Sequence, residues 1–177
     1  SVIKLIIRSM KKTCLIYGST TGTTVSVAGM IASKMGIEDN CVYNASDLTP
    51  DLINQFDALI IGSSTWGDGE LQDDWYDAVK VLKGMDLQGK IVALFGCGDS
   101  ESYSDTFCDA IGLLYEELKA TGGEFVGSVP SSDYQFGASV AEVDGRFVGL
   151  PLDEMNESHL TDSRIGKWIE TIKPYFT

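Results

Sequence analysis

Short, continuous apolar runs alternate with amphipathic helical segments along most of this chain, and this alternation restricts the fold more than any other feature. The clearest apolar runs are residues 13–17, 58–62 and 90–95. Each is too short for a typical helix and lacks the polar alternation of a half-exposed strand. Strands that are apolar on both faces are typical of parallel sheets covered by helices on both sides. The pattern therefore predicts a doubly wound α/β domain.

The periodicity predicts five strands and five helical segments. The strands are residues 13–17, 38–43, 58–62, 90–95 and 124–129, and the helical segments are residues 24–35, 51–56, 71–82, 105–120 and 162–172. Residues 131–152 are too long and too rich in Gly and Ser for an ordinary connection. We interpret them as an insertion that interrupts strand 5. A hairpin of residues 138–142 and 146–150 around Asp144-Gly145 is expected within it.

Composition limits the classes of partner. The 177 residues suit one domain, and 13 basic against 26 acidic residues give a net charge of −13. Nucleic acids and anionic lipids attract the opposite sign, and no apolar run approaches the ~18 residues needed to cross a bilayer. We therefore expect neither a nucleic-acid nor a membrane partner. The acidity suits either solubility alone or steering toward a basic protein partner, and charge leaves both open.

The cysteines and the first residues bear on compartment and boundaries. Cys14, Cys41, Cys97 and Cys108 form no C-x-x-C pair, so we expect reduced thiols in a cytoplasmic protein. Residues 1–9 lack the length and the cleavage site of a signal sequence, and Met10 leads directly into strand 1. We expect residues 1–9 to be an extension and residues 10–177 to form one domain.

The loop after strand 1 is rich in hydroxyl groups. Gly22 stands at the start of a predicted helix among Ser19, Thr20, Thr21, Thr23 and Thr24. Unpaired N–H groups and the helix dipole attract an anion there. The loop contains no Lys or Arg and is not a Walker A motif. It predicts a phosphate site, and the alternative is a helix cap flanked by solvated threonines.

Aromatic residues follow strands 3 and 4. Trp66 lies among polar residues and glycines in 63–71, with no helical period to bury it, so it is either a binding element or a lid folded back on an apolar edge. Tyr103 follows the glycine-rich residues 96–100. Because ligands of open α/β sheets bind at the carboxyl ends of the strands, a phosphate site with two aromatic faces predicts FMN. A dinucleotide would leave its second phosphate and its adenosine without a site.

Taken together and in order, these loops resemble the three FMN loops of flavodoxins. The matching segments are residues 18–24, 65–75 and 96–100. In addition, residues 147–154, Asn156 and residues 161–165 are similar to the tail of long-chain flavodoxins. The resemblance covers residues 11–175. It implies a five-stranded parallel sheet of order 2-1-3-4-5, an order that belongs to the family and is not worked out from the sequence.

The resemblance also implies the roles of individual residues. The phosphate would be held by Ser19, Thr20, Thr21, Gly22, Thr23 and Thr24, and the isoalloxazine ring would lie between Trp66 and Tyr103. The ring would be lined by Ser64, Thr65, Gly67, Asp68, Gly69, Cys97, Gly98 and Asp99, with Phe107 and Cys108 nearby. No side chain is expected to act as a catalyst.

The implied function is that of a low-potential one-electron carrier using a semiquinone/hydroquinone couple. Its partners would be basic-surfaced redox enzymes, such as flavodoxin or ferredoxin reductases and oxidoreductases, in transient complexes, and the protein would be a monomer. We predict that the Gly67 carbonyl turns toward flavin N5, because glycine adopts both signs of φ. We also predict that Asp68 and Asp99 lower the second potential.

Two features depart from the long-chain pattern, and two other functions stay open. Gly67-Asp68 and Cys97 look more like short-chain flavodoxins, and Val129 stands where many long-chain members have an aromatic residue before the proline. An NAD(P)H-dependent quinone or nitroreductase of the same fold would need a pocket over the flavin and basic residues for the nucleotide, and the sequence shows neither. A module without cofactor is disfavoured by the intact loops.

Overall fold

The computed structural model describes residues 10–19 and 22–177. The expectations for residues 1–9, Thr20 and Thr21 lie outside the described residues. The strands in the described part of the chain are β1 (Thr13–Gly18), β2 (Val42–Asn44), β3 (Ala58–Trp66), β4 (Glu70–Leu71), β5 (Ile91–Cys97), β6 (Glu124–Val126), β7 (Val129–Pro130), β8 (Glu142–Val143), β9 (Arg146–Phe147) and β10 (Leu150–Leu152). The α-helices are α1 (Thr23–Met35), α2 (Pro50–Asn54), α3 (Trp75–Lys83), α4 (Asp109–Leu118) and α5 (Ser158–Ile172).

The central sheet is parallel, with the order β10-β5-β3-β1-β2. When β5 is counted as the fourth strand and β10 as part of the fifth, this is the order 2-1-3-4-5, and the predicted doubly wound α/β class is confirmed. The order reverses between β1 and β3, because β2 lies on one side of β1 and β3 on the other. The loops that follow these two strands therefore open into the crevice where ligands of such sheets bind.

Helices cover both faces of the sheet, which explains the continuous apolar runs. In β3, Leu59 and Ile61 pack with α3 and α4, while Ala58 and Ile60 pack with α1 and α5. Successive side chains of a strand point to opposite faces, so both faces must be apolar when both are covered. No helix within residues 10–19 and 22–177 is long and apolar enough to cross a membrane.

The fifth position of the sheet is filled by two short strands. β6 pairs with Ile91–Ala93 at the start of β5, and β10 pairs with Phe95–Cys97 at its end. Residues 127–149 lie between them and contain a small sheet of order β7-β9-β8. Asp144 and Gly145 form the turn between β8 and β9 with φ of 52° and 78°, as expected for a type I′ turn.

The structure corrects several predicted boundaries. Leu150 is predicted at the end of the hairpin and Leu152 in the insertion, but both belong to the main sheet, because their side chains are buried and their backbone pairs with β5. Leu71 is predicted to begin a helix but lies in β4, which pairs antiparallel with the end of β3. The helix predicted from residue 105 begins at Asp109, after a 3-10 turn at Ser104–Thr106. The last helix begins at Ser158, four residues before its predicted start.

Candidate functional site

A cavity of about 300 Å³ opens at the carboxyl edge of the sheet. It is lined by Thr23, Ser64, Thr65, Trp66, Cys97, Gly98, Asp99, Tyr103, Thr106, Glu154 and Met155. Residues from all three loops singled out in the sequence therefore line the same cavity, next to the point where the strand order reverses. The parallel strands β1, β3 and β5 account for this convergence, because their carboxyl ends lie side by side.

The first loop leads into α1 through a glycine with left-handed backbone geometry. Gly22 is the N-cap residue of α1 with φ 87°, and its N–H donates to Ser19 Oγ at 3.2 Å. Among the described residues no side chain caps this helix, and its first turn contains no acidic residue. The N–H groups of the first turn are therefore available to an anion.

Thr24 adds a buried hydroxyl group to this end of the site. The residue is completely buried, and its Oγ1 has no hydrogen-bond partner among the described residues, although it lies close to the Cys97 thiol. A buried polar group without a partner costs about 1–3 kcal/mol. The nearest basic residues along the chain are Lys12 and Lys34. The donor set thus fits a phosphate held by hydroxyl and amide groups and not by cations.

Trp66 forms one wall of the cavity. Its side chain is 39% exposed, and its Nε1 donates to Ser64 Oγ at 2.9 Å, which fixes the orientation of the indole ring. The residue ends β3 and pairs with Glu70 of β4, so the expected polar loop is a short hairpin. A strand, rather than a free loop, therefore presents this aromatic face.

The turn of this hairpin has special backbone geometry. The Gly69 N–H donates to the Trp66 carbonyl at 3.1 Å, and Gly67 has φ 50°. Asp68 does not share the positive φ, as in a type II′ turn. A Cβ at Gly67 would meet nothing within 4 Å, whereas one at Gly69 would lie 2.6 Å from Asp109 Oδ2. Gly69 is thus required by packing, and Gly67 by backbone conformation alone.

Tyr103 lies across the cavity in the third loop and is 49% exposed. The loop leaves β5 at Gly98, whose N–H donates to the Leu152 carbonyl at 3.0 Å. A side chain at Gly98 would come within 2.9 Å of the nitrogen and the sulfur of Cys108. The backbone of the loop can therefore lie against the start of α4 only with glycine at this position.

The Asp99 carboxylate closes the third loop. Its Oδ1 accepts hydrogen bonds from the N–H groups of Glu101 at 3.2 Å and Ser102 at 2.9 Å, and from Asn156 Nδ2 at 2.8 Å. The Ser102 N–H lowers the pKa of this carboxyl below its usual value, and the Asn156 amide adds to that effect against the opposing effect of burial. Asp99 thus lines the cavity, while its Oδ1 accepts its hydrogen bonds from within the protein.

The thiols at the site are buried and neutral. Burial raises the pKa of Cys97 to about 12, and the nearby Thr24 hydroxyl opposes this shift only in part. Burial also raises the pKa of Cys108 well above its usual value. All four cysteines are free thiols. Among the described residues no group of His, Cys, Asp and Glu side chains is arranged to hold a metal ion.

Not every predicted site residue lines the cavity: its lining does not include Phe107 and Cys108, which are buried, nor Ser19, Gly22, Thr24, Gly67, Asp68 and Gly69. Phe107 is 1% exposed and packs against Phe136 and Phe147 of the insertion, with ring centroids 5.7 and 6.2 Å apart. Cys108 is fully buried, with φ 53° at the start of α4. The resemblance implied that both lie near the flavin ring; the aromatic side chains of the insertion pack against Phe107, and Cys108 is buried at the start of α4.

Three residues that line the cavity were missed in the sequence. These are Thr106, Glu154 and Met155, the last of which is 73% exposed. Residues 153–156 follow β10, which returns to the end of β5. The similarity of the tail to long-chain flavodoxins was the only signal that pointed to this segment.

Negative charge surrounds an apolar centre. Asp99 and Glu154 line the cavity, and Asp68, Glu70 and Glu101 are exposed on the same loops. No Lys or Arg is among the described lining residues. The exposed apolar groups of the cavity are Trp66, Tyr103 and Met155. The surface therefore offers apolar contact within an acidic rim.

Comparison with known proteins decides the family. The flavodoxin family model matches residues 15–168. The chain belongs to the flavodoxin family. It is 42% identical over 168 residues to the flavodoxin of Buchnera aphidicola, covering 94% of this chain and 98% of that protein. It is 43% identical over 166 residues to a flavodoxin of Nostoc sp. (strain PCC 7120), covering 94% and 98%.

A solved flavodoxin supports the same assignment. The structure of Fusobacterium nucleatum flavodoxin bound to flavin mononucleotide matches with a TM-score of 0.88 at 33% identity, covering 95% of this chain and 100% of that one. Flavodoxins bind FMN and are electron-transfer proteins. The prediction of the family from three loops is thereby confirmed, and FMN, the predicted cofactor, is the flavin in that structure.

Proposed function

We propose that this protein binds FMN non-covalently and carries single electrons at low potential between redox enzymes. One observation carries the proposal: the buried Thr24 hydroxyl, without a hydrogen-bond partner among the described residues, lies at the start of α1 and close to Cys97, which lines a cavity between two half-exposed aromatic side chains. A flat heterocycle with a phosphate tail matches both ends of this arrangement. Membership of the flavodoxin family agrees with it.

The residues present fit FMN. Ser19, Thr23, Thr24 and the N–H groups that follow Gly22 would hold the phosphate, with Thr20 and Thr21 added from the sequence pattern. Trp66 and Tyr103 would enclose the isoalloxazine ring, with Ser64, Thr65, Gly67, Asp68, Gly69, Cys97, Gly98 and Asp99 at its edges. When bound, FMN supplies the capacity to take electrons one at a time.

Gly67 would control the proton at flavin N5. Its φ of 50° and the open space around it allow the Gly67–Asp68 peptide to turn its carbonyl toward the cavity. A carbonyl oxygen placed there accepts a hydrogen bond from N5 when N5 carries a proton. The backbone, and not a side chain, would thus stabilise the state reached after the first electron.

The acidic rim would disfavour the second electron. A carboxylate ~10 Å away costs roughly 0.4–1.7 kcal/mol for effective dielectric constants between 80 and 20. At about 2.3 kcal/mol per 100 mV, this amounts to roughly 20–70 mV per carboxylate before screening by salt. Asp68, Asp99 and Glu154 would each contribute in the same direction. The protein would therefore act as a low-potential donor.

The same rim suggests the class of partner. Basic-surfaced redox enzymes, such as flavodoxin or ferredoxin reductases and oxidoreductases, would be steered to the acidic loops and would contact Trp66, Tyr103 and Met155. Such contacts suit transient complexes of a monomer in the cytoplasm, where the four free thiols would stay reduced. No side chain is proposed to act as a catalyst.

The test is a visible spectrum recorded during anaerobic titration of the purified protein with a chemical reductant. We expect a flavin spectrum in which a long-wavelength band rises and then disappears, because electrons enter one at a time. Direct bleaching without that band, with NAD(P)H alone as a competent reductant, would favour the quinone or nitroreductase. A colourless protein that takes up no added FMN would refute both functions.

A further inference from the structure

A group of polar side chains joins the third loop to the segment that precedes α5. Asp153 is completely buried, and its carboxylate accepts hydrogen bonds from the Ser100 N–H at 3.1 Å, the Asn156 N–H at 3.0 Å and the Ser100 hydroxyl. Asn156 Nδ2 donates to both oxygens of Asp153, at 3.1 and 3.0 Å, and to Asp99 Oδ1 at 2.8 Å. One amide group thus bridges two carboxylates.

Most other hydrogen bonds of Asp99 stay inside the loop. The Glu101 and Ser102 N–H groups reach its carboxylate, and the Tyr103 N–H reaches its carbonyl at 2.9 Å. These bonds define the shape of the loop but not its position on the sheet. Among the described residues, Asn156 is the donor that ties the Asp99 side chain to another part of the fold.

The position of the third loop on the sheet therefore depends on hydrogen bonds to residues outside the loop. Gly98 is tied to Leu152, and Ser104 is tied to Gly137 of the insertion. Between these two points, Ser100 and Asp99 are the anchored residues, and both reach residues 153–156. Tyr103 follows directly on this middle part, so its place along the cavity depends on that anchor.

We propose that Asn156 is a positioning residue for the flavin ring: its amide holds the third loop so that Tyr103 and Gly98 keep their places along the cavity. This inference rests on the proposed function. The amide also keeps two negative groups compatible, since oxygens bonded to the same nitrogen at 2.8 and 3.0 Å lie no more than about 6 Å apart. Without the donor, Asp99 and Asp153 repel each other and the loop moves outward.

The test compares riboflavin, which has no phosphate, with FMN. In Asn156→Ala we expect the affinities for FMN and riboflavin to fall by the same factor, about tenfold, because lost hydrogen bonds to charged groups are of this size. The fluorescence of the bound flavin should rise as Tyr103 moves away. The matched control is Asn54→Ala, which changes an exposed asparagine at the end of α2 and should alter neither quantity.

Asn156→Asp distinguishes positioning from general loss of structure. At pH 7 it places a third carboxylate between Asp99 and Asp153, and we expect a larger loss of riboflavin affinity than in Asn156→Ala. As the pH falls toward 5, the new carboxyl, whose pKa is raised by its neighbours, regains a proton and a donor. The riboflavin affinity of Asn156→Asp, relative to wild type, should therefore recover, whereas that of Asn156→Ala should not. The neighbouring Glu154 and Glu157 have their own partners, Thr161 and Arg164.

Each outcome decides the inference. Unchanged riboflavin affinity and unchanged fluorescence in Asn156→Ala would overturn it, as would a loss confined to FMN, which would place the effect at the phosphate. Wild-type protein that binds neither flavin would overturn the proposed function and this inference together. Should either Asn156 variant fail to fold, Ser100→Ala removes only the hydroxyl donor to Asp153 and should show the same signature at smaller size.

Discussion

The two ends of the candidate site are built in opposite ways. At the phosphate end, a helix begins without a side-chain cap, and the buried Thr24 hydroxyl has no hydrogen-bond partner among the described residues. At the ring end, Ser64 holds Trp66, while Asp99 and Asp153 collect hydrogen bonds from the backbone and from Asn156. Among the described residues, polar groups at the phosphate end therefore lack hydrogen-bond partners, whereas those at the ring end are hydrogen-bonded to other groups of the protein.

This difference suggests that one end of the site determines flavin affinity and the other tunes the reduction potentials. Donors without partners gain most when a ligand arrives, so the phosphate end should supply much of the binding free energy. A network that is already complete gains little from the ligand but fixes aromatic faces and charges, so the ring end should set the redox properties. The predictions below test this division in order of decreasing effect.

Thr24→Val should weaken FMN binding while stabilising the protein without flavin. Valine cannot donate the hydrogen bond that the Thr24 hydroxyl would give to the charged phosphate. We therefore expect FMN affinity to fall about 10- to 100-fold. The apoprotein loses a buried hydroxyl that has no hydrogen-bond partner among the described residues, so its free energy of unfolding should rise by about 1 kcal/mol. Flavin titration and urea unfolding measure the two effects.

Riboflavin supplies the control for this variant. Its affinity should stay unchanged in Thr24→Val, because the ring end is intact. An equal loss for riboflavin and FMN would show that Thr24 acts on the whole site and would remove the distinction between the two ends.

Gly67→Val should lower the first reduction potential. A β-branched residue at φ 50° costs roughly 1–2 kcal/mol, which penalises the turn that lets the carbonyl face the cavity. At about 2.3 kcal/mol per 100 mV, the first potential should fall by roughly 40–90 mV, with less of the one-electron-reduced form during titration. Gly145→Val is the control, since Gly145 has φ 78° and open space in the insertion. Equal potentials in both variants would exclude a role for the Gly67 peptide.

Asp68→Asn should raise the second reduction potential by roughly 20–70 mV at low salt, because one negative charge beside the ring is removed. The shift should shrink as ionic strength increases. Asp57→Asn, at the amino end of β3 and exposed, is the matched control and should leave the potential unchanged. A second potential that does not rise in Asp68→Asn would contradict the electrostatic account of the acidic rim.

Acid should loosen the ring end through Asp99. The folded-state pKa of this carboxyl lies below its ordinary value of 3.8, so its stabilising effect is complete above that value and is lost as the pH falls through the lower one. Riboflavin affinity should therefore be constant between about pH 7 and 5 and decline below about pH 4. In Asp99→Asn, fluorescence titration should show weaker binding without that decline. A decline of the same size in both proteins would assign the effect to another group.

Local periodicity was sufficient to predict the central strands of the sheet but not the short strand at its edge. The buried runs in β1, β3 and β5 are recognisable because each is apolar on both faces. Leu150–Leu152 has only three residues, and its place is set by pairing with β5, which lies more than fifty residues earlier. No local pattern can reveal such a pairing, so the local pattern predicts this segment in the insertion, with Leu150 at the end of the hairpin.

The same limit applies to the site. Loop chemistry identified Trp66 and Tyr103, because exposed aromatic side chains without a helical period are conspicuous in a sequence. Met155 carries no such signal, since its position depends on how β10 returns to the sheet. The burial of Phe107 is equally invisible in its own segment, because the aromatic side chains that pack against it belong to the insertion. The surroundings of such residues are set by distant segments and could not be predicted locally.

The bridge from Asn156 to Asp99 spans 57 positions of the chain, and this has a consequence for biosynthesis. A growing chain emerges amino end first at about 5–20 residues per second, so the phosphate loop and both aromatic loops leave the ribosome seconds before the segment that fixes the third loop. During that interval all three loops have been synthesised, but the third loop lacks the residues that anchor Ser100 and Asp99. The cofactor is therefore expected to be incorporated after translation has passed Asn156, and ribosome-bound chains stalled before that point should remain colourless.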